Sequence, residues 1–179
     1  MFQAWVAPLN PQNSGVAGTA LASSTTLTDI SAAPQYTLPA NFAQLTGSTG
    51  LRLTAGGVFS TTGTPTLLLG FYYGAVAGSA LAATEAFTTA SGVTNVQWRL
   101  EATLSFRTLG SSGTAWTQGW RFFGTAATTG TFGPLPGAAP AAVTVDTTAA
   151  KVISVGAQWG TSSASNTITC HSFLIESII

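Results

Sequence analysis

The sequence predicts an all-β protein, and two patterns carry that expectation. From Val96 to Arg107 the chain alternates without a slip: Val96, Trp98, Leu100, Ala102, Leu104 and Phe106 fall on one side, and Gln97, Arg99, Glu101, Thr103, Ser105 and Arg107 on the other. A period of two marks a strand with one buried and one wet face. Similar apolar segments recur along the chain between Gly-, Pro- and Ser-rich turns, while no long window carries a capped helical stripe. Strands at this spacing over residues 18–179 make one sandwich or barrel domain.

Residues 1–17 contain Pro8 and Pro11 and no periodicity, so they read as an extended N-terminal arm. A Thr-rich strand is expected over 25–30. The next runs from Leu51 to Phe59, with a bulge at Gly56 and Gly57. Gly63 and Pro65 then turn the chain into an apolar strand, 66–73, buried on both faces. The long strand 95–108 hands over through Leu109–Gly113 to a partner, 115–124, as a hairpin. Residues 130–140, rich in Gly and Pro, read as a loop, and strands follow over 142–146, 152–159 and 167–178. The last carries apolar residues on both parities: Ile168, Cys170 and Leu174 on one, Phe173 and Ile175 on the other. One sandwich needs only one such face, so Phe173 and Ile175 are the candidate subunit interface.

Charged residues are 6% of the chain against roughly 25% in ordinary soluble domains. With 45% hydrophobic residues and no net charge, the composition is that of a folded chain with a neutral, hydroxyl-rich surface. The five basic residues are scattered, which argues against nucleic acid as a partner. The longest apolar run, Leu67–Phe71, is too short to span a bilayer, and Met1–Trp5 shows no secretory leader, so no membrane partner is expected. A lone cysteine excludes an internal disulfide, and near-zero net charge favours self-association.

Chemistry is hard to build from these residues. His171 follows Cys170 within a strand, which points their side chains to opposite faces and argues against a nucleophilic dyad. A single His, a single Cys and five separated acids give no metal-ligand spacing, unless a threefold axis brought three copies of His171 together. Glu101 is expected to pair across strands with Arg121, and Glu176 with Arg52 or solvent. No catalytic residue, metal or cofactor is therefore assigned, and the chain is read as a non-enzyme. Trp5, Trp98, Trp116, Trp120 and Trp159 would serve as sugar-stacking platforms, but Trp98, Trp116 and Trp159 fall on apolar parities and are expected in the core.

Four segments carry a resemblance: Thr25-Thr26-Leu27-Thr28-Asp29-Ile30, Leu51-Arg52-Leu53-Thr54-Ala55, Trp98-Arg99-Leu100-Glu101-Ala102, and Trp159 to Cys170. Their order resembles small virion proteins of tailed bacteriophages, especially those infecting actinobacteria. These adopt a jelly-roll sandwich similar to the tumour-necrosis-factor and complement C1q heads. The resemblance implies a homotrimer about the face carrying the first and last strands. It also implies a place in the virion after synthesis in the bacterial cytoplasm, most readily as a decoration protein on the major capsid protein; the alternative is a tail-tip or fibre head that binds a host glycan. Phe2, Trp5, Val6 and Leu9, apolar residues without an evident core partner, are the candidate virion anchor.

Overall fold

Two antiparallel sheets pack face to face in the computed structural model, which describes residues 7–9, 16–32, 35–45, 50–76 and 78–178. In chain order the strands are β1 (Ala7–Pro8), β2 (Leu21–Ala22), β3 (Thr28–Asp29), β4 (Thr37–Leu38), β5 (Gly50–Ser60), β6 (Thr66–Tyr73) and β7 (Ser79–Ala83). Then come β8 (Phe87–Thr88), β9 (Val96–Thr108), β10 (Gly113–Gly124), β11 (Gly130–Leu135), β12 (Val143–Val145), β13 (Lys151–Trp159) and β14 (Thr167–Ile178). One short helix, α1 (Phe42–Leu45), precedes β5. The larger sheet runs β1-β14-β5-β9-β10-β11, with β2 on β14 and β12 on β10; the smaller runs β3-β13-β6-β7, with β4 on β13 and β8 on β6. The expected all-β sandwich is thus the observed one.

Alternation decides what fills the space between the sheets. Leu51, Leu53, Ala55 and Phe59 of β5 and Val96, Trp98, Leu100, Ala102 and Leu104 of β9 face inward, as the periodicity of β9 requires. They meet Leu67, Leu69, Phe71 and Tyr73 of β6 and Ile153, Val155, Ala157 and Trp159 of β13. Tyr72, on the opposite parity of β6, is also buried, in keeping with a strand covered on both sides.

The last strand differs from its expected reading. Cys170 pairs with Gly57 and Ser172 with Gly56, so His171 is an extra residue. This bulge reverses the phase of the strand, and Ile168, Cys170, Phe173 and Ile175 all point into the core. Phe173 and Ile175 are 1% and 0% exposed, and Phe173 stacks on Phe71 of the other sheet with ring centroids 5.9 Å apart. They are core residues and not a subunit interface. The apolar residues left on the outer parity are Leu174 and Ile178, both half-buried. The bulge itself lies on β14, opposite the glycines, whereas β5 passes through Gly56 and Gly57 unbroken. A Cβ at Gly57 would collide with the Thr169 carbonyl, so glycine is what lets the bulged strand close in.

Both edges of the larger sheet also differ from their expected form. Residues 130–135 are strand β11, paired with β10 from Gly119↔Leu135 to Gly124↔Gly130, where a loop was expected. An edge strand tolerates Gly and Pro because only one side of its backbone must pair. At the other edge the expected arm is partly built into the sheet. Ala7 and Pro8 pair with Ser177 and Glu176, and the Leu9 amide donates to the Ile175 carbonyl at 2.7 Å. Leu9 is half-buried and packs against the domain's own core, so it has a core partner that the sequence did not show. Phe2, Trp5 and Val6 lie outside the described residues.

Truncation of a side chain that joins the two sheets should show its position directly. Phe173→Ala is expected to destabilise the isolated chain by about 3–5 kcal/mol, read as a lower denaturation midpoint at every protein concentration. An effect that appears only at concentrations where subunits associate would return Phe173 to an interface.

Candidate functional site

The hairpin of β9 and β10 sets the outer face of the larger sheet. Its register places Phe122 opposite Arg99 and Trp120 opposite Glu101, so these four side chains share one surface. The inward residues of β10 are Ala115, Thr117, Arg121 and Phe123. Trp116 is therefore on the outer side, half-buried, with the Arg107 guanidinium 4.6 Å from its ring; its expected place in the core is not the observed one. Trp98 and Trp159 are buried as expected, each 1% exposed.

Arg121 stands opposite Leu100 and points inward, which prevents the expected pair with Glu101. Its guanidinium lies 5.1 Å from the Phe87 ring and 5.5 Å from that of Phe123. Burial lowers its pKa, and the charge of Glu85 partly offsets this. Glu101 pairs instead with Arg99 at 3.6 Å, and Arg52 meets Glu176 directly across β5 and β14 at 3.7 Å. These exposed pairs fix local charge more than they stabilise the fold.

Across the same face runs a groove of about 500 Å³. One row of cross-strand neighbours defines it: Ser172, Gly56, Arg99, Phe122 and Phe132 on β14, β5, β9, β10 and β11. The floor is the backbone of Gly56 and Gly57. One wall is aromatic, with Phe132 centred 5.8 Å from Trp120 and 5.0 Å from Phe122. The other wall holds His171 and Ser172, brought to the outer side together by the bulge. Arg99 stands between the walls, 5.8 Å from the Trp120 ring. Phe132 is 75% exposed, one of three exposed large apolar residues among those described, with Val16 and Leu109.

Sequence reasoning did not assemble this site. Phe132 was hidden in a presumed loop, and the larger residues of β10 suggested the wrong inward face. The usable signal was the hairpin, which locks the phase of β10 to the clear alternation of β9.

The residues tested for chemistry are separated. Cys170 is fully buried and its thiol donates to the Ser172 carbonyl at 3.3 Å, while His171 is exposed on the opposite side. Among the described residues, no three of His, Cys, Asp and Glu converge as metal ligands, and no helix is long and apolar enough to cross a membrane. Asp146 lies outside the groove and caps a turn, accepting from the Thr148 amide and hydroxyl at 2.9 and 2.6 Å. Those bonds hold its carboxyl below the usual range.

Burial pushes the Cys170 thiol from 9.0 up to about 11. Between those values the unfolded chain loses its thiol proton while the folded chain keeps it, so stability must fall as pH rises from about 9 to 11. Tyr73, pushed up to about 12 mainly by burial, extends the loss at the alkaline end. Denaturation midpoints should hold steady up to pH 8.5 and then decline, and Cys170→Ala should flatten the first part of the decline. An unchanged alkaline profile in that variant would remove Cys170 as its source.

The chain matches no protein-family profile, no curated protein and no solved structure, so the functional reading stands on the geometry of its own sheets.

Proposed function

We propose that the chain is a structural protein of a tailed-phage virion, a jelly-roll homotrimer that decorates the capsid exterior by docking on the major capsid protein. The observation that carries this reading is the fastening of the N-terminal segment to the sheet edge. Ala7 and Pro8 pair with Ser177 and Glu176 at the edge of the larger sheet, and Phe2, Trp5 and Val6 precede that point in the sequence. In this reading Phe2, Trp5 and Val6 bury their side chains in the partner while the paired Ala7 and Pro8 hold the chain to the sandwich. The scarcity of charge supports the same reading, because neutral hydroxyl-rich surfaces associate through shape and apolar burial with little electrostatic cost. Self-association would use the outer side of β14, where Leu174 and Ile178 stand, since Phe173 and Ile175 are committed to the core.

A variant beginning at Ala7 separates the anchor from the fold, because it keeps β1 and the Leu9 contact. It should fold, give a light-scattering mass three times that of its own chain, and fail to bind particles that lack the protein. Binding equal to that of the full chain would place the anchor on the sandwich, and a stable monomer would remove the trimer.

A further inference from the structure

We propose that the groove on the outer face of the larger sheet is a binding site for a neutral oligosaccharide. The site goes beyond the decoration reading and is independent of whether the protein sits on a capsid or a fibre. Its two walls differ in chemistry. Trp120, Phe122 and Phe132 offer aromatic surface on one side, while His171 and Ser172 offer hydrogen-bonding groups on the other, with Gln97, Thr54 and Arg99 between them. A pyranose has the matching division: an apolar face of C–H groups that stacks on an aromatic ring, and a rim of hydroxyls that both donate and accept.

Size and charge favour the same ligand. The volume of about 500 Å³ lies within the range of small-ligand sites. Because the row from β14 to β11 crosses five strands, it extends roughly 19 Å at the usual interstrand spacing, which suits a short chain of sugars better than a single one. The cation in the groove, Arg99, is paired with Glu101 at 3.6 Å, so the surface offers directed donors without an excess of positive charge for a phosphate or sulfate. The floor stays open because β5 has glycine at position 56, where a Cβ would stand on the outer face, 3.6 Å from the Ser172 hydroxyl and 3.3 Å from the Trp98 carbonyl oxygen.

A second copy of the chain is a poorer occupant. A twofold contact centred on the groove would bring two Arg99 guanidinia towards each other. An apolar peptide would cover the aromatic wall but set its apolar side chains against the polar groups of Gln97, Arg99 and His171 on the rest of the groove.

The test uses the full-length chain in affinity electrophoresis through gels containing a neutral glucan, mannan or galactan, with dextran sulfate as the anionic control. At least one neutral polymer should retard the protein, and the sulfated polymer should not. Isothermal titration with an oligosaccharide of the retarding polymer should show at least a tenfold loss of affinity for Trp120→Ala and a measurable loss for Phe132→Ala. Phe132 is 75% exposed, so its variant retains the fold even if Trp120→Ala perturbs the sheet. Light scattering on the same samples separates this site from the trimer: the variants should lose sugar affinity and keep the mass of the parent. Absence of retardation by all three neutral polymers, preference for dextran sulfate, or unchanged affinity in both variants would overturn the proposal. A fall in mass without a change in sugar affinity would instead assign the groove to subunit contact.

Discussion

The extra residue in β14 governs both sides of the larger sheet. By placing three residues, Cys170 to Ser172, against Gly57 and Gly56, the bulge reverses the alternation of the strand midway. Inward, this sends Phe173 and Ile175 to join Ile168 and Cys170 in one core, where Phe173 stacks on Phe71 and ties the sheets together. Outward, it sets His171 and Ser172 side by side at the rim of the groove. Without it, a strand of the same sequence would expose two of its largest apolar side chains, a slip of one residue being enough to exchange the faces.

The glycines of β5 belong to the same device. The missing side chain of Gly57 permits the close approach of the bulged backbone, and the Trp98 indole donates to the Thr169 carbonyl at 3.1 Å beside it. Outside, the missing side chain of Gly56 leaves a bare floor between a polar rim and the aromatic wall of β10 and β11. One local feature therefore serves packing on one face and shapes the groove on the other. Few charges are involved, and those present are held in pairs such as Arg99 with Glu101.

The aromatic wall shows how an edge strand contributes. The pairing of Phe122 with Phe132 brings the exposed ring of β11 beside Trp120. The exposure of Phe132 is thus part of a cluster with neighbouring polar groups and a cavity, and this distinguishes it from the isolated exposed apolar residues that any protein surface carries.

The all-β class, the inward face of β9, the hairpin of β9 and β10 and the separation of Cys170 from His171 were legible in the residues alone, as was the burial of β6 except at half-buried Thr66 and Leu68. Each follows from side-chain period or turn chemistry, which act over a few neighbouring residues. Tertiary structure alone decided the rest. The phase of β10 came from its register on β9, against the larger volume of Trp116, Trp120 and Phe122 on the outer side. The strand character of residues 130–135 came from an available edge on β10, which the Gly- and Pro-rich composition did not announce. The faces of Phe173 and Ile175 came from a bulge that depends on glycines over a hundred positions away in the chain. Period-two patterns are local, whereas register and bulges arise between strands, and the groove is assembled from five strands at once.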